Sequence, residues 1–295
     1  MKYVFIIFLF ACFQNASAQV YSFQLEDVRI TIDEPAAHGG SILILYALPN
    51  GNTTEQTMGK KLQPGDDWHF DIQHIYAQTK FIRKELPKNR IIVAYLENSY
   101  KSWPLWKRNH ADFKERIPKI IDTIRSKFKD AVVYLNGHSG GGSFIFGLMD
   151  AFNGIPLYVK RISFLDSNYG YDSTYTDRFK QWLQDPKHAL NVFAYNDSVA
   201  LYEGKPVVSA TEGTWYKSHQ MMRDLGEFIQ TRNDSVIAYK TRSGQVQFFF
   251  KTNPERKIFH TTQVELNGFI HSVLCGTKRD SRNYRYYDKR AYVVE

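Results

Sequence analysis

A short segment of small residues, Gly137-His138-Ser139-Gly140-Gly141, carries the clearest chemical signal in the sequence. It follows an apolar run at 131–136 and precedes an amphipathic run at about 140–151. The pattern G-x-S-x-G is typical of a very tight strand-to-helix turn, where larger neighbours of the serine would collide with the strand and the helix. Such a turn presents the hydroxyl at the carboxyl end of a sheet, beside a helix N-terminus that favours negative charge. Ser139 is therefore a candidate nucleophile.

The elements that must hold this turn can be predicted from the apolar pattern. Runs of strand length are rich in β-branched and aromatic residues and nearly continuous, as expected of strands buried on both faces. They are 41–48, 90–97, 131–136, 161–166, 190–195 and 245–251, with an early meander at 20–27 and 28–34. Helical spacing appears between them at 70–86 and at 111–128, the second with Pro118 as a kink or a late start. The alternation predicts an α/β fold with a mostly parallel sheet of about eight strands and helices on both faces.

The chain is expected to form one domain over 19–295, preceded by a secretory signal at 1–18. The signal is indicated by one lysine, a short apolar run and the Ala16-Ser17-Ala18 cleavage site. A segment at about 198–244 is longer than a simple crossover and is interpreted as an insertion, with a helix near 216–230. The composition, 43% hydrophobic and 15% aromatic, excludes a largely disordered chain.

The signal predicts export to the periplasm or the extracellular space. A second interpretation takes Leu9-Phe10-Ala11-Cys12 as a lipoprotein processing box, although the large Phe10 fits such a box poorly. No apolar stretch in the mature chain is long enough to span a bilayer. If Cys12 leaves with the signal, Cys275 stands alone and no intrachain disulfide is expected.

The chain resembles the α/β-hydrolase fold superfamily over about residues 25–275. The resemblance rests on the strand order, on the turn at Ser139 and on the preceding strand that ends in Tyr46-Ala47-Leu48-Pro49-Asn50. It implies that the backbone N–H groups of Leu48 and Gly140 bind the oxyanion of an acyl-transfer reaction. Because Tyr46-Ala47 stands where the family often has a His-Gly pair, Asn50 remains an alternative to Leu48.

A serine nucleophile also needs a base within hydrogen-bond reach and a third group that orients the base. The resemblance implies the chain order serine, acid, histidine, which excludes His138 and His110 as the base. His271, past the last strand in 267–276, is the favoured base, and His260 is the alternative.

Two aspartates at strand ends compete for the role of the acid. Asp197 follows the strand at 190–195, the position that the family uses most often, and is favoured. Asp166 ends the preceding strand at 161–166 and is the alternative. The residue that is not the acid would be a turn residue or part of the pocket floor.

The loop at 97–110 is expected to overhang the site because it leaves the same edge of the sheet. Tyr100, Trp103 and Trp106 offer flat apolar surfaces that suit a sugar ring, an aromatic ester or a peptide. The alternative is that both tryptophans pack against helices.

These features predict a secreted serine hydrolase that cleaves an ester or amide bond in a small-molecule, peptide or glycan-derived substrate. A peptidase or cell-envelope peptide amidase would use the same triad, and a catalytically inactive binding module is the alternative of a different class. No cofactor is implied, since phosphate-loop and zinc-site patterns are absent from the sequence. The net charge of +8, partly concentrated at 278–290, is interpreted as a solvated face, because no nucleic-acid module accompanies it.

Overall fold

The computed structural model describes residues 18–37, 39–209, 211–262 and 264–280. Residues 1–17 of the expected signal, with Cys12, and residues 281–290 of the basic tail lie outside the described residues. No helix in the described part of the chain is long and apolar enough to cross a membrane.

The described residues form alternating strands and helices, joined by short 3₁₀ turns. The strands are β1 (Gln19–Leu25), β2 (Val28–Glu34), β3 (Gly40–Ala47), β4 (Asn89–Asn98), β5 (Val132–His138), β6 (Val159–Leu165), β7 (Ala189–Tyr195), β8 (Leu201–Tyr202), β9 (Lys205–Pro206), β10 (Ile229–Asn233), β11 (Val236–Lys240) and β12 (Val246–Lys251). The α-helices are α1 (Thr54–Met58), α2 (Ile75–Glu85), α3 (Trp103–Asn109), α4 (Phe113–Lys127), α5 (Gly142–Ala151), α6 (Thr176–Trp182), α7 (Thr214–Leu225) and α8 (Phe269–Leu274).

One ten-stranded sheet runs through the molecule in the order β1-β2-β4-β3-β5-β6-β7-β12-β11-β10. The strands from β4 to β12 in this order pair in parallel, whereas β2 pairs antiparallel with β4. The predicted α/β architecture is confirmed, including every predicted strand. The expected count of about eight strands was too low, because β10 and β11 extend the sheet from within the segment that was interpreted as an insertion.

Both faces of the central strands are buried, and β3 shows how. Leu43 and Leu45 face one apolar layer, while Ile42 and Ile44 face the other. Helices α2 and α8 contribute to the second layer. Helix α4 covers the first layer with four isoleucines that share one helical face: Ile117, Ile120, Ile121 and Ile124. The parallel strands can therefore be apolar along their whole length, and their carboxyl ends meet at one edge.

Helix α4 begins at Phe113 and continues through Pro118. The expected late start after this proline does not occur, although a proline inside a helix removes one backbone hydrogen bond. The four buried isoleucines on either side of it account for the continuation, because tertiary packing outweighs local propensity.

Candidate active site

Ser139 occupies the turn between β5 and α5. Its φ is 52°, in the left-handed region that residues other than glycine rarely adopt. A 3₁₀ turn at Ser139–Gly141 leads directly into α5. Ser139 is partly exposed, whereas His138 and Gly140 on either side are buried. The strand-turn-helix context expected for the G-x-S-x-G pattern is therefore present.

The two outer glycines of the pattern allow this close packing. A Cβ atom on Gly137 would lie 2.8 Å from the backbone carbon of Gly141. A Cβ atom on Gly141 would lie 2.1 Å from the carbonyl oxygen of Ala47 in the neighbouring strand. Neither distance is compatible with a side chain, so the turn requires glycine at both positions.

His260 and Asp166 form a hydrogen-bonded pair at the same edge of the sheet. Nδ1 of His260 lies 2.5 Å from Oδ2 of Asp166. Asp166 directly follows β6, is fully buried and has a φ of 47°. The His260 side chain keeps 27% of its surface exposed. Because a carboxylate accepts the Nδ1–H, the Nε2 atom of the neutral ring carries the lone pair.

His138 connects this pair to the serine turn. Its Nε2–H donates to the backbone carbonyl oxygen of His260 at 3.1 Å, and the two imidazole rings lie 5.0 Å apart. Burial, together with the nearby ring of His260, lowers the pKa of His138 to about 3. His138 is therefore neutral at neutral pH and holds its single ring proton on Nε2. The loop that carries His260 is in this way fastened to the residue before Ser139.

Asp197, the favoured acid, lies beside Asp166 but has other partners. It follows β7 and accepts hydrogen bonds from the backbone N–H of Thr214 at 2.7 Å and of Trp215 at 3.3 Å, at the start of α7. Burial, and next the charge of Asp166, raise the pKa of Asp197 to about 6. The structure therefore joins His260 to Asp166, the alternative acid, and joins Asp197 to a helix.

His271, the favoured base, is not brought to this edge. It lies inside α8 with 3% of its surface exposed, and its ring packs edge-on against Phe249 and Phe193. Its Nε2 lies 3.2 Å from Oε1 of Gln247, near the amino end of β12. Burial lowers the pKa of His271 to about 3. This expectation is corrected, since His271 is a core residue.

The N–H of Leu48, the expected first oxyanion donor, is also occupied elsewhere. It donates to the carbonyl oxygen of Leu96 at 3.3 Å and so extends the pairing of β3 with β4. The neighbouring Asn50 is exposed, and a Cβ atom on Gly140 would lie 1.9 Å from its Oδ1. Asn50, the alternative to Leu48, therefore lies against the residue that follows the serine.

The two tryptophans of the loop after β4 belong to the core. Trp103 and Trp106 are buried in α3, where the first packs against Phe144 of α5. Their indole N–H groups donate to the carbonyl oxygen of Leu96 and to Oδ2 of Asp27. The expectation that they face a substrate is corrected in favour of helix packing. Tyr100 remains 44% exposed, and its ring lies 6.0 Å from that of His110.

Thr214 and Gly213 belong to this site but were not among the predicted site residues. The Thr214 hydroxyl donates to Oδ1 of Asp166 and lies 3.2 Å from Oδ2 of Asp197. Gly213 allows this approach, because a Cβ atom there would lie 2.4 Å from Oδ1 of Asp197. A glycine and a threonine before an apolar helical pattern indicate a helix start, but no local signal indicates which carboxylate meets it.

Among the described residues, no group of three or more His, Cys, Asp and Glu side chains is arranged to hold a metal ion. Cys275 is buried, and burial raises the pKa of its thiol to about 11.

The arrangement of the described strands is that of the α/β-hydrolase fold. The features that define it are the strand order, the antiparallel β2 and the left-handed serine turn after β5.

The sequence matches no protein-family model and no curated protein. Among solved structures, it is similar to a cold-adapted esterase from an Arctic intertidal metagenomic library, with 12% identity, a TM-score of 0.42, and 85% of this chain and 93% of that chain covered. It is similar to poly(aspartic acid) hydrolase-1 from Sphingomonas sp. KT-1, with 11% identity, a TM-score of 0.45, and 84% of this chain and 97% of that chain covered. It is also similar to a predicted CIB-like hydrolase from Thermoplasma acidophilum, with 8% identity, a TM-score of 0.45, and 87% of this chain and 98% of that chain covered. Because these sequence identities and TM-scores are low, the fold assignment rests on the strand order and the serine turn.

Proposed function

We propose that this protein is a serine hydrolase that cleaves an ester or amide bond with Ser139 as nucleophile, His260 as general base and Asp166 as the acid. The observation that carries the proposal is the hydrogen bond between His260 and the buried Asp166, together with the hydrogen bond that fastens the His260 backbone to His138, the residue before Ser139. Nucleophile, orienting carboxylate and base then follow the chain order serine, acid, histidine that α/β-hydrolases use.

In the proposed first half-reaction, His260 Nε2 takes the proton of the Ser139 hydroxyl as its oxygen attacks the carbonyl carbon of the substrate. The bond to the leaving alcohol or amine breaks, and the leaving group takes the proton from His260. Asp166 remains ionised and stabilises the imidazolium that forms between these steps. The product that stays on the enzyme is an ester of Ser139.

In the second half-reaction, His260 takes a proton from water, and the resulting hydroxide attacks the acyl carbon. The bond between the acyl carbon and the Ser139 oxygen then breaks, His260 returns its proton to that oxygen, and the acid product leaves. The oxyanion formed in each half-reaction needs two donors, and removal of one typically costs about 10²–10³-fold in rate. We assign these roles to the backbone N–H of Gly140 and to Asn50, which has both a backbone and a side-chain amide and lies against Gly140.

The proposed substrates are small esters or peptide- and glycan-derived amides, met outside the cytoplasm after cleavage of the signal before Gln19. Support for export comes from the sequence of residues 1–18 alone. Detection of the mature N-terminus at Gln19 in the periplasm or medium would strengthen it, and retention of the full chain in the cytoplasm would contradict it.

The nucleophile is tested by labelling the purified chain with a fluorophosphonate probe and mapping the modified peptide by mass spectrometry. We expect one adduct, at Ser139, and no adduct in Ser139→Ala. Ser126→Ala, which changes an exposed serine of α4, is the matched control and should label like the wild type. A folded wild type that neither labels nor hydrolyses p-nitrophenyl acetate or peptide amides would overturn the proposal and favour a binding role.

A further inference from the structure

The second carboxylate of the site, Asp197, has no role in the proposed mechanism, yet it is nearly as deeply buried as Asp166. Burying two carboxylates side by side is costly unless both are hydrogen-bonded. Both carboxylates therefore need hydrogen-bond donors of their own. The role inferred for Asp197 rests on the proposed function, because it concerns how the acid of the triad is held.

Each oxygen of Asp166 has a different partner. Oδ2 accepts from Nδ1 of His260, and Oδ1 accepts from the Thr214 hydroxyl and, at 3.4 Å, from the backbone N–H of Tyr195. A carboxylate that is held only by one oxygen can rotate about its Cβ–Cγ bond, since this terminal torsion is broad. The Thr214 hydroxyl therefore fixes the plane of the carboxylate that orients His260.

The backbone of Thr214 is itself held by Asp197. The Asp197 carboxylate binds the first two backbone N–H groups of α7, those of Thr214 and Trp215, where a helix N-terminus favours negative charge. Gly213 has extended backbone, with φ −69° and ψ 162°, and lacks the Cβ atom that would collide with this carboxylate. The N-terminus of α7, and with it the side chain of Thr214, is thus anchored on Asp197.

We propose that Asp197 and Thr214 are positioning residues for the Asp166–His260 pair: Asp197 anchors the start of α7, so that the Thr214 hydroxyl donates to the oxygen of Asp166 that His260 leaves free. The same arrangement puts a second negative charge next to the pair. The other titratable groups that face the two carboxylates are His260, Tyr169 after β6 and Tyr195 at the end of β7.

The loss of this anchor has an effect that can be measured. In Asp197→Asn the maximal rate should fall, because an amide accepts fewer N–H bonds than a carboxylate and α7 loses its anchor.

The experiment measures the second-order rate constant of fluorophosphonate labelling at Ser139, and kcat and KM for p-nitrophenyl acetate, between about pH 5 and 9. Asp197→Asn and Thr214→Val should each lower kcat by about 10- to 100-fold with little change in KM, the size expected of a slightly misplaced catalytic group. Thr214→Ser keeps the hydroxyl and should restore most of the rate. A purely structural role would lower the melting temperature without this rescue and without a selective loss of kcat.

Gly213→Ala tests the anchor without changing any polar group. Its Cβ atom should displace the Asp197 carboxylate and reproduce the loss of kcat. Gly154→Ala is the matched control, because no atom lies within 4 Å of a Cβ atom built there. If the wild type labels and turns over but Thr214→Val and Gly213→Ala match it across the pH range, the inference is wrong while the proposed function stands. If the wild type is inert, both are wrong.

Discussion

Two residues at neighbouring strand ends, Ser139 and Asp166, have left-handed backbone with φ of 52° and 47°. Such conformations cost about 1–3 kcal/mol each and persist only where the surrounding structure over-determines them. Here the surroundings are the glycines of the serine turn and the hydrogen bonds of Asp166 to His260, Thr214 and Tyr195. The strain lies where the proposed chemistry needs side chains at one edge of the sheet.

Of the two histidines that follow β12, His260 is the proposed base and His271 is a core residue. We expect His260→Ala to lower kcat for p-nitrophenyl acetate by at least about 10³-fold, because Ser139 would lose its proton acceptor. His271→Gln should keep kcat within a few-fold of the wild type, since His271 packs against Phe249 and contacts Gln247. Steady-state kinetics on both variants at neutral pH provide the measurement.

Circular dichroism of both variants is the control for folding. Full activity in a folded His260→Ala, together with loss in a folded His271→Gln, would return the role of base to His271.

At this scale, the sequence predicts what depends on local sterics and misses what depends on tertiary contact. The serine turn is fixed by adjacent glycines, so Ser139 could be singled out from five residues. His260 and His271 both follow β12, and chain order does not distinguish a loop residue from a helix residue that faces the core. The acid could not be predicted for the same reason. Asp166 and Asp197 both follow parallel strands, and only tertiary contacts show that the first meets an imidazole and the second a helix N-terminus.

Helix α3 buries the tryptophans that the sequence analysis expected at the substrate site. The helix follows the carboxyl end of β4, the edge of the sheet where Ser139 lies. Its tryptophans nevertheless face away from solvent: Trp103 packs against α5, and Trp106 contacts the β1–β2 turn. We expect Trp103→Ala to lower the free energy of unfolding by about 3–5 kcal/mol, the cost of removing a buried aromatic side chain. Urea unfolding measures this value.

Tyr100→Ala is the control from the same loop. As an exposed surface residue it should change the free energy of unfolding by less than about 0.5 kcal/mol. A rise in KM for substrate in Trp103→Ala without a loss of stability would reinstate the tryptophan as a substrate contact.

The hairpin β10–β11 shows the limit of apolar patterning at the level of elements. The strand Ile229–Asn233 is mostly exposed and carries Gln230, Thr231 and Arg232, so no apolar run marks it. It forms because β11 pairs with β12 and offers an edge for one more strand. Buried parallel strands are readable from composition, whereas an exposed edge strand depends on its neighbour.

At the scale of the whole molecule, the two apolar layers enclose ionisable groups whose protonation is coupled to folding. Burial lowers the pKa of His138 and of His271 to about 3, so both stay neutral in the folded chain well below the pH at which an unfolded histidine, with a pKa of about 6.5, binds a proton. The unfolded chain therefore binds more protons as pH falls below about 6.5, and these two sites lower stability there. Asp197 acts in the opposite direction, since its raised pKa lets the folded chain bind a proton first as pH falls through about 6.

Because these contributions oppose one another, a single substitution is needed to isolate one of them. His271→Gln removes one of the histidine sites without touching Asp197. We expect it to cost stability at pH 7, where the imidazole packs against Phe249 and Phe193, but to be less sensitive to acid than the wild type. The difference in unfolding free energy between wild type and variant should shrink by up to about 1.4 kcal/mol for each pH unit below about 6.5.

Val273→Ala is the control, because it changes a buried residue of the same helix without a titratable group. Its difference in unfolding free energy from the wild type should not vary with pH. Urea unfolding at pH 7 and near pH 5 measures both differences, and a constant difference for His271→Gln would mean that His271 binds its proton in the folded chain.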